Sequence, residues 1–454
     1  MRFRLSHIFL LLAALVWPWQ TAHAQSLLRD AETESFLRDI SNPIFEAAGL
    51  TPESVRIYIV NDQSLNAFVT GGQNVFLNSG LIMRVDNVNQ LKGVIAHETC
   101  HIACGHSVTR RAAMGNMGLM SAVSMVLGAA AIALGGGDAG MGVMMAGQNA
   151  AQRNFLSHTR SEESTADQAA LDYLNAVEAS GEGLMAFLDT LRDQEVLANV
   201  RQDPYVRSHP IGRQRLLALQ KRVESSDYYG DPPNRDHDRR LKRIQAKMVG
   251  YLKNPQATVN EYPPDRDQSV NAHYARAYAY HKALEWDWAL EEANALIEAE
   301  PDNPFFHEIK GQILFEAGRI QDSLPVFREA VSLAPEEPLL IAALGQALVA
   351  TDNTDHYKEA TRVLRRATRL QPDNSFAWFQ MARAYAALDK TALANLATAE
   401  RYYSGGVAHM AARHAHRAME ELDKGTADWL RAQDIFLVTK DAAERSSRQQ
   451  RRRR

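Results

Sequence analysis

His97, Glu98 and His101 are the residues whose types and spacing most directly suggest chemistry, in the run Val94-Ile95-Ala96-His97-Glu98-Thr99-Cys100-His101-Ile102. The run reads as part of an amphipathic helix. Asn87 with Gln90 three residues on supplies an N-terminal cap, and Leu91, Val94, Ile95 and Ile102 recur at helical spacing as one apolar stripe. Four residues apart on such a helix, His97 and His101 project from one face and can grip a single tetrahedral cation, for which zinc is the natural occupant. Glu98 falls beside the apolar stripe, where a carboxylate without a partner costs about 2 kcal/mol or more. That placement fits a proton-handling role, the acceptor of a proton from water that the metal has made acidic.

A hydrolytic zinc site needs a third protein ligand. The segment Arg160-Ser161-Glu162-Glu163-Ser164-Thr165-Ala166-Asp167 runs into a helical pattern through Ala169, Ala170, Leu171, Tyr173 and Leu174. Glu163 and Asp167 would share one helix face, so that one carboxylate binds the ion while the other orients a ligand histidine. Glu162 competes for the ligand role, and a solvated acidic helix start is the plain alternative. His209 stands before Pro210 in a turn, with Arg213 and Arg215 following; a lone loop histidine ordinarily just faces solvent. Cys100 and Cys104, the two cysteines of the chain, lie within the metal helix. Residues four apart there hold their Cβ atoms about 5 to 6 Å apart, against about 3.5 to 4.5 Å in a disulfide. No bridge is expected between them. They read as packed thiols, with a Cys104 thiolate on the metal as the alternative.

The elements that must position these groups are partly legible. Ala31 to Ala48 reads as a helix ending at Gly49, and Val55 to Val60 as a strand. Asn66 to Leu77 reads as two strands around Gly71-Gly72. Its first strand, through Asn66, Ala67, Phe68 and Val69, is a candidate edge on which a substrate peptide adds by backbone hydrogen bonds; the competing reading is a hairpin that merely covers the core. Residues 117–145 are apolar and Met-rich with Gly135-Gly136-Gly137 in the middle. A mobile lid, a hairpin in peripheral contact with a membrane, and plain core compete, and soft Met side chains with Gly hinges favour the lid.

The chain has 454 residues with 46% hydrophobic content, enough for two or three cores. Its net charge of -4 provides no basic field for nucleic acid. Arg2 and Arg4, the apolar run Ile8 to Val16 and the small-x-small end Ala22-His23-Ala24 read as a signal peptide over 1–24, which implies export to a periplasm-like space. A metal-dependent domain is expected over 25–230. Residues 231–268, rich in Pro, Asp and Arg with a helical middle from Arg239 to Leu252, read as a linker with a helix. Pro301 and Pro335 mark equivalent turns 34 residues apart and Pro372 follows after 37, while Gly311 and Gly345 keep the same step. A helix-turn-helix period near 34 with a closing Pro is the tetratricopeptide pattern, so an α-solenoid is expected over 269–430. Residues 431–454, ending in four arginines, read as a basic disordered tail.

The His-Glu-Thr-Cys-His box, the preceding Asn-Ala-Phe-Val-Thr-Gly-Gly-Gln-Asn-Val-Phe segment and the Arg-Ser-Glu-Glu-Ser-Thr-Ala-Asp segment together resemble the M48 family of zinc metallopeptidases, and the appended repeats resemble its soluble periplasmic branch. The resemblance implies a mainly α fold with a small β-hairpin or sheet: a gluzincin-like metalloprotease domain followed by an α-solenoid of tetratricopeptide repeats. It implies one zinc ion on His97, His101 and Glu163 rather than Glu162, Glu98 as base and Asp167 as the orienting acid. It places at His209 a removable fourth ligand that keeps the enzyme latent, and at Arg215 a basic group near the oxyanion. Cys100 departs from the family, where Gly is common. Misassembled outer-membrane proteins as clients, and the barrel-assembly machinery as a partner of the repeats, are implied by resemblance alone. A non-proteolytic chaperone or assembly scaffold with a structural zinc is the rival from another class.

Overall fold

The computed structural model describes residues 26–133, 137–197, 209–210 and 213–452. The leader read over 1–24 lies outside the described residues. Helix α1, Ala31–Ala47, is capped by Asp30, whose side chain accepts from the Thr33 N–H. It lies on a four-stranded mixed sheet of β1 (Leu27–Leu28), β2 (Arg56–Val60), β3 (Ala67–Thr70) and β4 (Asn74–Asn78), in the order β1-β2-β4-β3. The expected hairpin is thus the β3–β4 pair, turning at Gly71 and Gly72, and β4 also runs parallel to β2. The edge is β3.

A short helix α2 (Ser79–Arg84) leads into α3 (Val88–Ala103), which carries the histidine box. The Asn87 side chain accepts from the Gln90 N–H at 3.1 Å, while the Gln90 side chain ties back to Asp86 rather than to the cap itself. Every described residue of α3 from Val88 to His101 is buried. Val88, Leu91, Val94 and Ile95 join Phe36 and Ile40 of α1, Val75 and Leu77 of β4, and Leu171 and Leu174 of α5 in one core. Gly93 explains how the next helix gets so close: a Cβ there would lie 2.8 Å from the Leu184 Cα. Leu184 belongs to α6 (Glu182–Leu197).

Helices α4 (His106–Ala133) and α5 (Gly137–Ala176) form a long antiparallel arm. Among the described residues, the reading of 117–145 as plain core is corrected, because Leu119, Val126, Met141 and Met145 of the arm are 55–69% exposed; residues 134–136 lie outside the described residues. No described helix is long and apolar enough to cross a membrane.

Beyond α7 (Arg213–Glu224), helix α8 (Arg235–Leu252) fills much of the segment read as a linker. It is more than a tether, since its Leu241, Ile244 and Met248 sit in the same core as α3. Its opposite side meets the repeats. Arg243 binds Glu32 of α1 at 2.7 Å and Glu300 at 3.0 Å, Lys247 reaches Asp30 at 2.5 Å, and the Tyr274 hydroxyl donates to Glu32 at 2.7 Å. Burial works against the Lys247 charge, but Asp30 and neighbouring groups hold its pKa well above the usual value. The two parts of the chain are therefore joined through a network of charges whose centre, Glu32 and Lys247, is buried.

After α9 (Pro255–Glu261), helix pairs follow: α10 (Val270–Lys282) with α11 (Trp286–Ala299), α12 (Pro304–Glu316) with α13 (Ile320–Leu333), and α14 (Pro338–Ala350) with α15 (Thr354–Leu370). Then come α16 (Ser375–Ala387) with α17 (Thr391–Ser404), and α18 (Ala408–Glu421) with α19 (Ala427–Arg452). Gly311 and Gly345 keep their 34-residue step because each lets its helix touch the partner: a Cβ would sit 2.9 Å from the Phe327 ring and 2.4 Å from Leu364 Cδ2. The disordered tail expected over 431–454 is corrected: α19 runs to Arg452, with Ala432, Ile435 and Thr439 buried. The sequence beyond Gly425 holds no Pro or Gly to stop a helix, and Ala432, Ile435 and Thr439 repeat at helical spacing.

The junction also sets a pH dependence. On α12 the Glu308 Oε2 is out of water with no hydrogen-bond partner among the described residues. Burial, opposed by Lys247 and helped by Asp30 and Glu32, pushes its pKa up from 4.5 to about 8. Between those values the folded chain holds a proton that the unfolded chain lacks, so stability falls as pH rises through this window, by at most about 1.4 kcal/mol per unit. Glu308→Gln is expected to raise the melting temperature at pH 8 and leave it nearly unchanged near pH 4.5. Equal shifts at both pH values would contradict the assignment.

Candidate metal centre

Four buried side chains from three separate segments meet on the inner face of α3. His97 and His101 come from α3, Glu163 from α5, and His209 from the described pair 209–210; one ligand atom of each lies within 4.8 Å of all the others. The His97 Nε2 is 3.2 Å from His101 Nε2, 3.3 Å from His209 Nδ1 and 3.3 Å from Glu163 Oε2. Glu163 also lies 3.6 Å from His101 Nε2 through Oε1 and 2.9 Å from His209 Nδ1 through Oε2. A tetrahedral cation with bonds of about 2.0–2.1 Å holds its ligand atoms roughly 3.3 Å apart. Most of these separations are close to that figure, so the residues fit a small divalent cation.

The surrounding groups fix which nitrogen faces inward. Asp167 Oδ1 stands 3.1 Å from His97 Nδ1, so the imidazole donates there and turns the Nε2 lone pair toward the other ligands. His106 does the same for His101, with the two Nδ1 atoms 2.9 Å apart. Arg215, at the start of α7, grips Asp167 with two of its nitrogens, one of them 2.7 Å from Oδ1. It also lies 3.2 Å from Glu163 Oε2 and donates to the Pro210 carbonyl at 3.1 Å. The guanidinium expected near an oxyanion is thus placed against two carboxylates and the turn that carries His209.

Burial raises the Glu163 carboxyl pKa, yet His209 and His97 outweigh it and hold it well below the carboxylate range. Burial likewise opposes Asp167, but Arg215 and His97 keep it low. For His97, burial lowers the pKa and the two carboxylates overcome it, raising it to about 9. Burial, with His97 and His209 nearby, drives His101 well below its ordinary value. A cation taken up here displaces the His97 proton, so uptake is favoured by rising pH.

Glu98 is fully buried and lies outside the ligand set, with His209 Nε2 3.4 Å from its Oε1. Glu162 points elsewhere, accepting from the Thr109 hydroxyl at 2.5 Å. Asn66, Ala67, Phe68 and Val69 fall at the β3 edge, and β3 packs beside α3. Sequence reasoning passed over His106. It follows His101 by five residues across a break at Gly105, whose φ of +70° ends the helix, so helical spacing gave no hint of it.

The expectation of free thiols is also corrected. Cys100 and Cys104 form a disulfide, with their Cα atoms 5.3 Å apart. Cys104 caps α3, its N–H shared between the carbonyls of Cys100 and Ile102, and this tightened last turn brings the pair within the usual Cα range of a bridge, about 4.4–6.8 Å. Cys100, Cys104 and His106 also have donor atoms within 4.8 Å of one another, but the two sulfurs are bonded to each other.

Residues 30–223 match the model of peptidase family M48. The chain is 24% identical over 398 residues to the beta-barrel assembly-enhancing protease of Escherichia coli (strain K12), covering 84% of this chain and 77% of that protein. It is 23% identical to the protein of the same name from Yersinia pestis, covering 79% and 74%. Among solved structures, the TPR protein YrrB aligns over 44% of this chain and 97% of its own, at 15% identity and a TM-score of 0.32. The repeat assignment rests on the period and the paired helices. Residues 30–223 thus carry a family M48 peptidase domain, and the match makes this part of the chain a metalloprotease domain.

Proposed function

We propose that the chain is a zinc-dependent endopeptidase of the periplasm whose clients are unfolded or misassembled outer-membrane β-barrel proteins. The observation that carries the reading is the buried convergence of His97, His101, Glu163 and His209, with Glu98 alongside but not among them. His97, His101 and Glu163 would hold the ion. Zinc when bound supplies Lewis acidity, which lets water lose a proton near neutrality and polarises a carbonyl. Glu98 then takes the proton from the attacking water and delivers it to the leaving amine. Asp167 and His106 keep the two imidazoles in the ligating tautomer, and Arg215 braces Asp167 and Glu163. The client would lie extended on the β3 edge, where Asn66 to Val69 offer backbone groups for strand addition.

The client class is taken from the relatives, which are named for enhancing beta-barrel assembly, and the compartment from the leader-like start. The repeats would hold clients or the barrel-assembly machinery, and the arm, exposed at Leu119, Val126, Met141 and Met145, would touch apolar client segments or, peripherally, a membrane. A test is digestion of an unfolded β-barrel protein with metal analysis of the same sample. Chelation is expected to remove both zinc and cleavage, and zinc addition to restore them. Cleavage that survives complete metal removal would refute the reading.

His209 supports a latent state. Its Nδ1 completes the ligand set, and four protein ligands leave no open position for water. His209→Ala is expected to increase cleavage of an unfolded client severalfold without loss of zinc. Cleavage rates equal to wild type on every client would show that His209 does not gate the site.

A further inference from the structure

The fourth helix pair carries a groove of about 280 Å³ between α16 and α17. Helix α16 packs on α14 and α15, whereas α18 packs on α17 and α19 and makes little contact with α16. Two arginines frame it. The Arg401 guanidinium, half-buried, stacks with its Cζ 4.4 Å from the Phe379 ring centroid, and Arg383 lies 5.9 Å from the same ring. A guanidinium stacked on a ring keeps its N–H edge directed outward, where it matches a carboxylate.

No acidic residue lines the groove. Among the described residues neither arginine has a carboxylate partner, and Arg383 donates only to the Gln380 amide oxygen, at 3.1 Å. Elsewhere in the repeats Arg431 pairs with Glu400, Arg328 with Glu359 and Arg276 with Glu292. Asn395 Oδ1 lies 3.1 Å from His414 Nδ1, and with that oxygen accepting, its amide N–H groups are what remain for a ligand. The charged wall of the groove is therefore made of donors. The floor is made by Ala382, Ala386 and Ala394, small enough to admit a side chain.

From this arrangement we infer that the groove captures the C-terminal end of a polypeptide with an apolar last residue, its α-carboxylate held by Arg401 and Arg383. At a chain end the carboxylate and the last side chain leave the same Cα, so one residue satisfies the guanidinium fork and the alanine floor together. The volume lies just below the usual range of ligand sites, about 300–1,000 Å³, which suits a chain terminus and not a folded surface. Nothing in this inference depends on the metal centre.

The test is fluorescence anisotropy on the full chain, kept in chelator, with three labelled peptides. One ends in Phe with a free carboxylate, one is its carboxamide, and one is amidated but carries an internal Glu. The free acid is expected to bind at least about tenfold more tightly than the carboxamide, and Arg401→Ala and the exposed-site variant Arg383→Glu to lose that preference. Arg401→Lys should recover part of it. Mass spectrometry of the recovered peptides and circular dichroism of each variant separate cleavage and misfolding from lost binding. Equal binding of acid and carboxamide, no binding of either at millimolar protein, or wild-type preference in both arginine variants would overturn the site. Equal binding of the internal-Glu peptide and the free acid would overturn the chain-end assignment.

Discussion

Glu98→Gln is expected to cut peptide hydrolysis by about 10²- to 10⁴-fold or more while zinc stays bound and the fold is kept. The substitution preserves shape and removes only the ability to accept a proton. Glu98 is fully buried and its Oε1 is 3.4 Å from His209 Nε2, yet it supplies none of the grouped ligand atoms. A neutral amide in that position also lightens the cost of burial, so a loss of stability is not the expected route to inactivity. Measuring initial rates on an unfolded client beside zinc content and melting temperature checks the claim. Undiminished hydrolysis would remove Glu98 from the reaction. A protein whose cellular role survives the substitution, though its hydrolysis is gone, would instead be working as the chaperone or scaffold.

The second large effect is expected at Glu163. Its carboxylate is the one anionic ligand in the cluster and touches each of the three histidines at 2.9–3.6 Å. Glu163→Gln leaves the imidazoles facing one another without a counter-charge and offers the cation only a weak neutral oxygen. Zinc is expected to be lost on dialysis and activity with it. Arg215, 3.2 Å from Glu163 Oε2, would keep Asp167 but lose an ionic partner, so some destabilisation accompanies the loss. Full zinc retention in Glu163→Gln would mean that the ion sits elsewhere. The two variants are complementary, since one separates chemistry from metal and the other removes the metal.

Much of this centre was legible in the sequence because it rests on short-range periodicity. The i, i+4 spacing put His97 and His101 on one face and paired Glu163 with Asp167, and the Asn87 cap marked where the helix begins. What escaped notice depends on breaks in that periodicity. His106 meets His101 only because Gly105 turns the chain, and the Cys100–Cys104 bridge forms because the last turn of α3 is tighter than an ideal helix. Periodicity also spoke for α8 as a helix, but not for its burial on two sides. Arg243 and Lys247 look like surface charges until Glu32 and Asp30, more than two hundred residues earlier, are seen beside them. The helical tail is hard to see in the sequence because the four terminal arginines suggest disorder, while the helical spacing of the buried Ala432, Ile435 and Thr439 is short.

The most direct measurement is X-ray absorption at the zinc edge on the purified, zinc-loaded chain. A first shell of nitrogen and oxygen alone at about 2.0–2.1 Å, with the outer-shell pattern of imidazole rings, is the expected result for His97, His101 and Glu163, with or without His209. Scattering from sulfur at about 2.3 Å would place the ion on Cys100 and Cys104 and contradict the account.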